Sequence, residues 1–256
     1  MENKARIQKV LSDQGILSRR RTEELIKEGR ITVNGRPAQP GHPIDIRRDI
    51  VAIDGERVWF QKKKKNYYVM LHKPRGYVTT MSDEKGRRSV ADLVADFPVR
   101  LYPVGRLDKD SEGLLLMTND GDFANAMMHP SHHVPKTYRV TVRPAITEEQ
   151  LTLLSVGLEI DGRMTAPARV RVLSQSNGRV VLEMVLYEGR NREIRKMCET
   201  LGLEVARLKR IAVGPVKLGM LQPGKWRELT KEEIRALKRE AAGTAENRPQ
   251  KGKGRR

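Results

Sequence analysis

Between Gly105 and Gly121 the chain reads GRLDKDSEGLLLMTNDG, and this stretch constrains the fold more than any other. The apolar run Leu114-Leu115-Leu116-Met117 has the length and flanks of a buried strand, closed by the turn Asn119-Asp120-Gly121. A glycine-led polar loop precedes it and carries Asp108 just behind Arg106 and Leu107. Loops fixed by buried strands are where catalytic side chains concentrate. Asp108 is therefore the first candidate for chemistry.

The surrounding pattern predicts more strands than helices. Strands are expected at 67–71, 101–104, 136–142 and 205–213, with a hairpin of 168–174 and 179–186 across Asn177-Gly178. Helices are expected at 90–94, 122–128, 148–154, 193–201 and 230–238, the last capped by Thr230. Neighbouring strands joined by tight turns argue an α+β fold, built on a mixed, mostly antiparallel sheet flanked by helices.

Upstream lies a smaller α+β unit of about sixty residues, short for a domain but long enough for a core. Ile7, Val10 and Leu11 keep helical spacing up to Gly15, and Ser18 caps a second helix that buries Leu25 and Ile26. Ile31-Thr32-Val33 is a strand entering the turn Asn34-Gly35. Four consecutive lysines, Lys62 to Lys65, repel one another and read as a linker over 62–66. The expected layout is thus 1–61, the linker, a catalytic domain over 67–240, and a disordered basic tail over 241–256.

Lys+Arg number 50 against Asp+Glu 32, a net charge of +18. Such a surplus favours a polyanionic partner, because neutralising phosphates releases counterions. Arg19, Arg20 and Arg21 open the second helix, where positive charge opposes the helix dipole. Phosphate binding accounts for them, together with Lys27 and Arg30 at the other end. No apolar run reaches the roughly eighteen residues of a membrane span, and the N-terminus lacks a signal peptide's apolar core. One cysteine, Cys198, makes no internal disulfide, so a reducing, cytoplasmic setting is expected. His129, His132 and His133 have no cysteine nearby and are read as solvated or RNA-facing, with no metal.

The segment RIQKVLSDQGILSRRRTEELIKEGRITVNGRPA resembles the αL RNA-binding domain of a small-subunit ribosomal protein. Downstream, HKPRGYVTT, VGRLDKDSEGLLLMTNDG, KTYRV and EGRNREIRKMCETLGLEVARLKRIAVGPVKLG stand in the order seen in ribosomal RNA pseudouridine synthases. The resemblance is to the branch containing RsuA, RluB, RluE and RluF, nearest the RluB type, and spans residue 4 to about 238. It implies isomerisation of uridine to pseudouridine in ribosomal RNA, most of all large-subunit RNA, with one aspartate and no cofactor. Small-subunit RNA is the alternative target, and a non-catalytic ribosome assembly factor the alternative class. A monomer is expected.

The resemblance places the catalytic carboxylate at Asp108. It can attack the base, attack the sugar, or abstract a sugar proton. Arg195 matches the basic residue that pairs with this acid, in a block where Glu193 stands for the more usual Gln. Tyr138 matches the family tyrosine, suited to stacking on the uracil and to the closing proton transfer. Arg106 either fills the gap left by a flipped nucleotide or pairs with Asp110 or Glu112. Arg192 and Lys196 are expected on phosphates. Cys198 is expected in the core.

Overall fold

The structure, a computed structural model, describes residues 4–61 and 65–243. Lys62 to Lys64 and positions 244–256 of the expected tail lie outside the described residues. Two compact units emerge: residues 1–67 with 98–100 and 119–121, and the remainder.

In the first unit α1 (Ile7–Asp13) and α2 (Arg19–Lys27) pack on a small antiparallel sheet. The central pair of that sheet is β1 (Ile31–Val33) and β2 (Val51–Ile53), with Ile31 opposite Ile53. Ser18 caps α2 by accepting a hydrogen bond from the Arg21 N–H at 3.0 Å. Ile7, Leu11, Leu25, Ile31, Ile44 and Val51 form its core.

The second unit opens with β3 (Tyr68–Lys73), β4 (Tyr102–Val104), β5 (Glu112–Thr118) and α3 (Gly121–Met128). It continues with β6 (Lys136–Arg143), α4 (Glu148–Val156), β7 (Arg169–Ser176), β8 (Arg179–Leu186) and α5 (Glu193–Thr200). It ends with β9 (Glu204–Val213), β10 (Trp226–Glu228) and α6 (Lys231–Ala242). The last helix thus runs two residues into the stretch assigned to the tail. Three short elements of this unit were not anticipated: the hairpin of Glu159–Ile160 with Arg163–Met164, the strand Val216–Lys217, and the edge strand β10.

Among the described residues, the main sheet has nine strands: seven along the path β7-β8-β6-β9-β5-β3-β10, with β4 added on β5 and the short strand Val216–Lys217 on β9. Every pairing is antiparallel except β9 with β5. All seven residues of β5 are buried, which is why the sequence there is a continuous apolar run rather than an alternation. Gly113 permits the parallel junction. Its φ is +114°, and a Cβ there would stand 2.2 Å from the Arg210 carbonyl oxygen. Only glycine fits that approach.

One core lies under each half of the sheet. Val140, Leu182, Met184 and Leu208 meet Leu154, Ile194 and Met197. Met70, Leu114 and Leu116 meet Phe123, Met127 and Leu237. Cys198 is fully buried in the first of these, and burial pushes its thiol up to about 12.

Candidate active site

A cleft of about 1040 Å³ runs along the junction of the two sheet halves, lined among others by Arg106, Asp108, Lys136, Tyr138, Arg192 and Arg210. Its central acid sits on a loop held at every turn by other segments. Thr79 Oγ1 donates to the Leu107 carbonyl at 2.7 Å and accepts from the Leu107 N–H at 3.2 Å. The Gly76 N–H donates to the Lys109 carbonyl at 2.8 Å. Lys73, with no exposed surface, donates from Nζ to the carbonyls of Asp108 (2.9 Å), Ser111 (2.7 Å) and Pro74 (3.1 Å).

A buried ammonium needs full hydrogen-bond saturation, and these three oxygens supply it. Burial still pulls Lys73 down to about 8, against the opposing pull of Asp108, Asp110 and Glu112. Hydrogen bonds to a charged group contribute about 1.5–3 kcal/mol each. The HKPRGYVTT segment is therefore the scaffold on which the Asp108 loop is stretched.

Asp108 keeps about a third of its side chain exposed (32%), and its Oδ2 lies 3.9 Å from Arg192 Nη1. Arg195, one helical turn later, makes no ion pair with Asp108 among the described residues. It donates instead to the carbonyls of Asp110 (3.2 Å) and Val205 (3.3 Å), and its Nε is buried without a partner. Burial pulls Arg195 below its ordinary range, nearby Arg192 adds to this, and Asp108 and Asp110 oppose it. Arg192 reaches the acid because of its local backbone. Arg192 adopts φ 51°, ψ 29° just before α5, and this left-handed residue carries the guanidinium to the cleft. Periodicity alone could not separate two arginines on one helix face.

Tyr138 is half-buried, lines the cleft and packs against the core below it. Two residues earlier on the same face, Lys136 donates to the Val134 carbonyl at 3.1 Å. Burial pulls this lysine down to about 8, with Arg210 adding to the effect and Glu193 opposing it. Arg210 is itself buried and donates from Nε to the Leu114 carbonyl at 2.7 Å. Sequence reasoning passed over Lys73, Lys136 and Arg210. The signal for Lys136 was present, since strand alternation puts it on the face of Tyr138.

Glu193 is buried at the start of α5, where its Oε2 accepts the Arg190 N–H at 2.9 Å. Burial, and a hydrogen bond that its protonated carboxyl donates to Glu188, push it up to about 7. Glu188 lines the cleft and accepts the Ala166 N–H at 2.8 Å.

Arg106 is exposed in the cleft wall, with no ion pair among the described residues. Glu112, one of its two considered partners, binds Arg207 at 2.6 Å. Lys196 does not line the cleft; it is ion-paired with Asp161 at 2.5 Å. In the first unit, Arg20 and Arg21 reach Glu24 at 3.4 and 3.1 Å. Arg30 is engaged by Asp54 at 2.6 Å and Glu28 at 3.0 Å. Arg19 and Lys27 have no ion pair among the described residues.

Residues 67–200 match the family described as RNA pseudouridylate synthase, and residues 5–51 match the S4 domain. An RNA pseudouridine synthase of Aquifex aeolicus, itself uncharacterised, is 40% identical over 234 residues, covering 91% of this chain and 93% of its own length. A Bacillus subtilis protein named ribosomal large subunit pseudouridine synthase B is also 40% identical, over 235 residues, covering 91% of this chain and 95% of its own. A crystal structure of a pseudouridylate synthase superposes with a TM-score of 0.67 at 28% identity, over 91% of this chain and 99% of the other. The chain is an isomerase of the RNA pseudouridylate synthase family, of the RluB/RsuA type, with an N-terminal S4 domain.

Proposed function

We propose that the chain converts a uridine of large-subunit ribosomal RNA to pseudouridine, with Asp108 as the catalytic carboxylate and no cofactor. The observation that carries this reading is the clamped Asp108 loop, which presents one carboxylate to a cleft walled by Tyr138, Lys136 and Arg192. The named activity of the Bacillus subtilis relative supports the large-subunit target.

The reaction breaks the N1–C1′ bond, turns the uracil and joins C5 to C1′, after which the C5 proton leaves and N1 takes up a proton in its place. Atoms and electrons balance with no oxidant. Asp108 either bonds covalently to base or sugar, or takes a sugar proton, and is regenerated at the end. Arg192 stabilises the carboxylate before and after that step. Tyr138 stacks on the uracil so that the detached base stays in place, and its phenol takes part in removing the C5 proton. The reacting atoms are hidden in stacked RNA, so the uridine is flipped into the cleft and Arg106 occupies the vacated space. Arg19, Arg20, Arg21 and Lys27 of the S4 domain hold phosphates elsewhere on the RNA. The enzyme acts in the cytoplasm, as a monomer.

Chemical mapping of pseudouridine in ribosomal RNA tests the reading. Asp108→Asn is expected to bind RNA and form no pseudouridine. Full activity in that variant, or an unchanged large-subunit map in cells lacking the protein, would overturn it.

A further inference from the structure

The four-strand half of the sheet has a covered face and an open one. Val140, Leu182, Met184 and Leu208 point to the covered side, against α4 and α5. Strand alternation sends Arg139 and Thr141 the other way. Register then lines up Arg171, Glu183, Arg139 and Lys209 across β7, β8, β6 and β9. The next line is Ser174, Val181, Thr141 and Arg207. With strands about 4.8 Å apart, each line is a row of closely spaced side chains.

This open face holds a groove of about 450 Å³ lined by Arg139, Arg207 and Lys209. It continues along Thr141, Ser174 and Val181 into a second hollow of about 510 Å³, reaching Arg179 at the hairpin end. The acids on this side are already engaged: Glu183 by Arg171 at 2.8 Å, Glu112 by Arg207 at 2.6 Å. Arg139, Arg179 and Lys209 have no hydrogen-bonded or ion-paired partner among the described residues. Strand pairing thus places Arg139 beside Lys209, with Arg179 two lines further along the same face, next to hydroxyl donors. Glu183 stands opposite Arg139 but is bound by Arg171, which leaves a net positive charge along this face. A polyanion would offset it.

We propose that this groove is a second RNA-binding site, which takes a sugar-phosphate backbone rather than bases. None of the outward residues on these four strands is aromatic, so the face offers no stacking platform for single-stranded bases. Arginine, lysine and hydroxyl donors suit phosphate and ribose oxygens, contacts that position an RNA without reading its sequence. Arg139 follows Tyr138 directly and faces away from the cleft, so the bound segment is a part of the folded RNA other than the one entering the cleft. The inference rests on reading the chain as an RNA modifier, and adds how the enzyme holds structure beyond its target uridine.

The test compares two variants of the full chain that remove equal charge. One is Arg139→Gln/Arg179→Gln/Lys209→Gln. The other is Lys231→Gln/Arg235→Gln/Arg239→Gln, on the exposed side of α6. Affinity for a transcript of large-subunit ribosomal RNA is measured across a potassium chloride titration. Each lost phosphate contact lowers the slope of log affinity against log salt by about 0.7–0.9. The groove variant is expected to lose about 2 from the slope and to bind at least tenfold more weakly, while the α6 variant changes little. An unchanged slope in the groove variant, or equal losses in both, would overturn the proposal. Arg139→Gln alone, expected to lose a slope of about one, keeps the test readable should the triple variant fold poorly. The readout is binding without turnover, so a wild type that binds RNA but forms no pseudouridine would refute the proposed activity and leave this site standing.

Discussion

Lys73 holds Asp108 by its backbone: the buried ammonium donates to the Asp108 carbonyl at 2.9 Å, while the carboxylate of the same residue faces the cleft. The two ends of Asp108 therefore answer to different parts of the protein. The main chain is fixed from β3 and the side chain is approached from the start of α5.

Replacing Lys73 with methionine keeps the volume and removes the donor. Three carbonyl oxygens then lose their common partner, each buried acceptor costing about 1–3 kcal/mol. The expected outcome is a stability loss on the order of 3 kcal/mol in urea denaturation, with single-turnover isomerisation slowed at least tenfold. Normal turnover by a stably folded Lys73→Met protein would show that the loop needs no such anchor.

Arg192, just before α5, and Arg195, within it, are separable. Arg192→Gln removes an exposed charge beside Asp108, so turnover should fall about tenfold, equivalent to about 1.4 kcal/mol, with little change in unfolding midpoint. Arg195→Met removes the bridge between the carbonyls of Asp110 and Val205 and should lower stability by about 2 kcal/mol as well as activity. Identical stability losses in the two variants would contradict this division of labour.

Glu193 makes stability fall as pH rises. Its folded value of about 7 lies above the ordinary 4.5. Between those values the unfolded chain gives up the proton while the folded chain keeps it, and the full cost is present above about 7. Glu193→Gln cannot ionise and can still accept the Arg190 N–H. The variant should be more stable than wild type at pH 8.5, on the order of 1 kcal/mol or more, with the gap closing towards pH 5. A gap that widens in acid would have the wrong sign.

Much of this architecture was legible in the sequence because it rests on local rules. The run Leu114–Met117 is a buried strand, Ser18 and Thr230 cap their helices, and Asn177-Gly178 turns a hairpin. The Asp108 loop was found because a glycine-led polar loop and a buried strand sit side by side in the chain. What escaped was long-range. Lys73 reaches oxygens 35 and 38 residues away, and Arg210 reaches one 96 residues away, distances that no pattern of spacing encodes. The approach of Arg192 to Asp108 turned on a single left-handed residue. Folding also brought Asp54 to Arg30.

The junction of β5 with β9 rests on only two paired positions, Glu112 with Lys209 and Gly113 with Arg210. Asp108 comes from one side of it, Lys136 and Tyr138 from the other. A nascent chain that has emerged through α5 already carries all three, but it lacks the strand that joins the halves. Closing a loop of this length is slow relative to forming either half. The two sides of the cleft are therefore joined only once β9 has been made, and the half that carries Asp108 is completed later still, when Leu237 of α6 reaches its core.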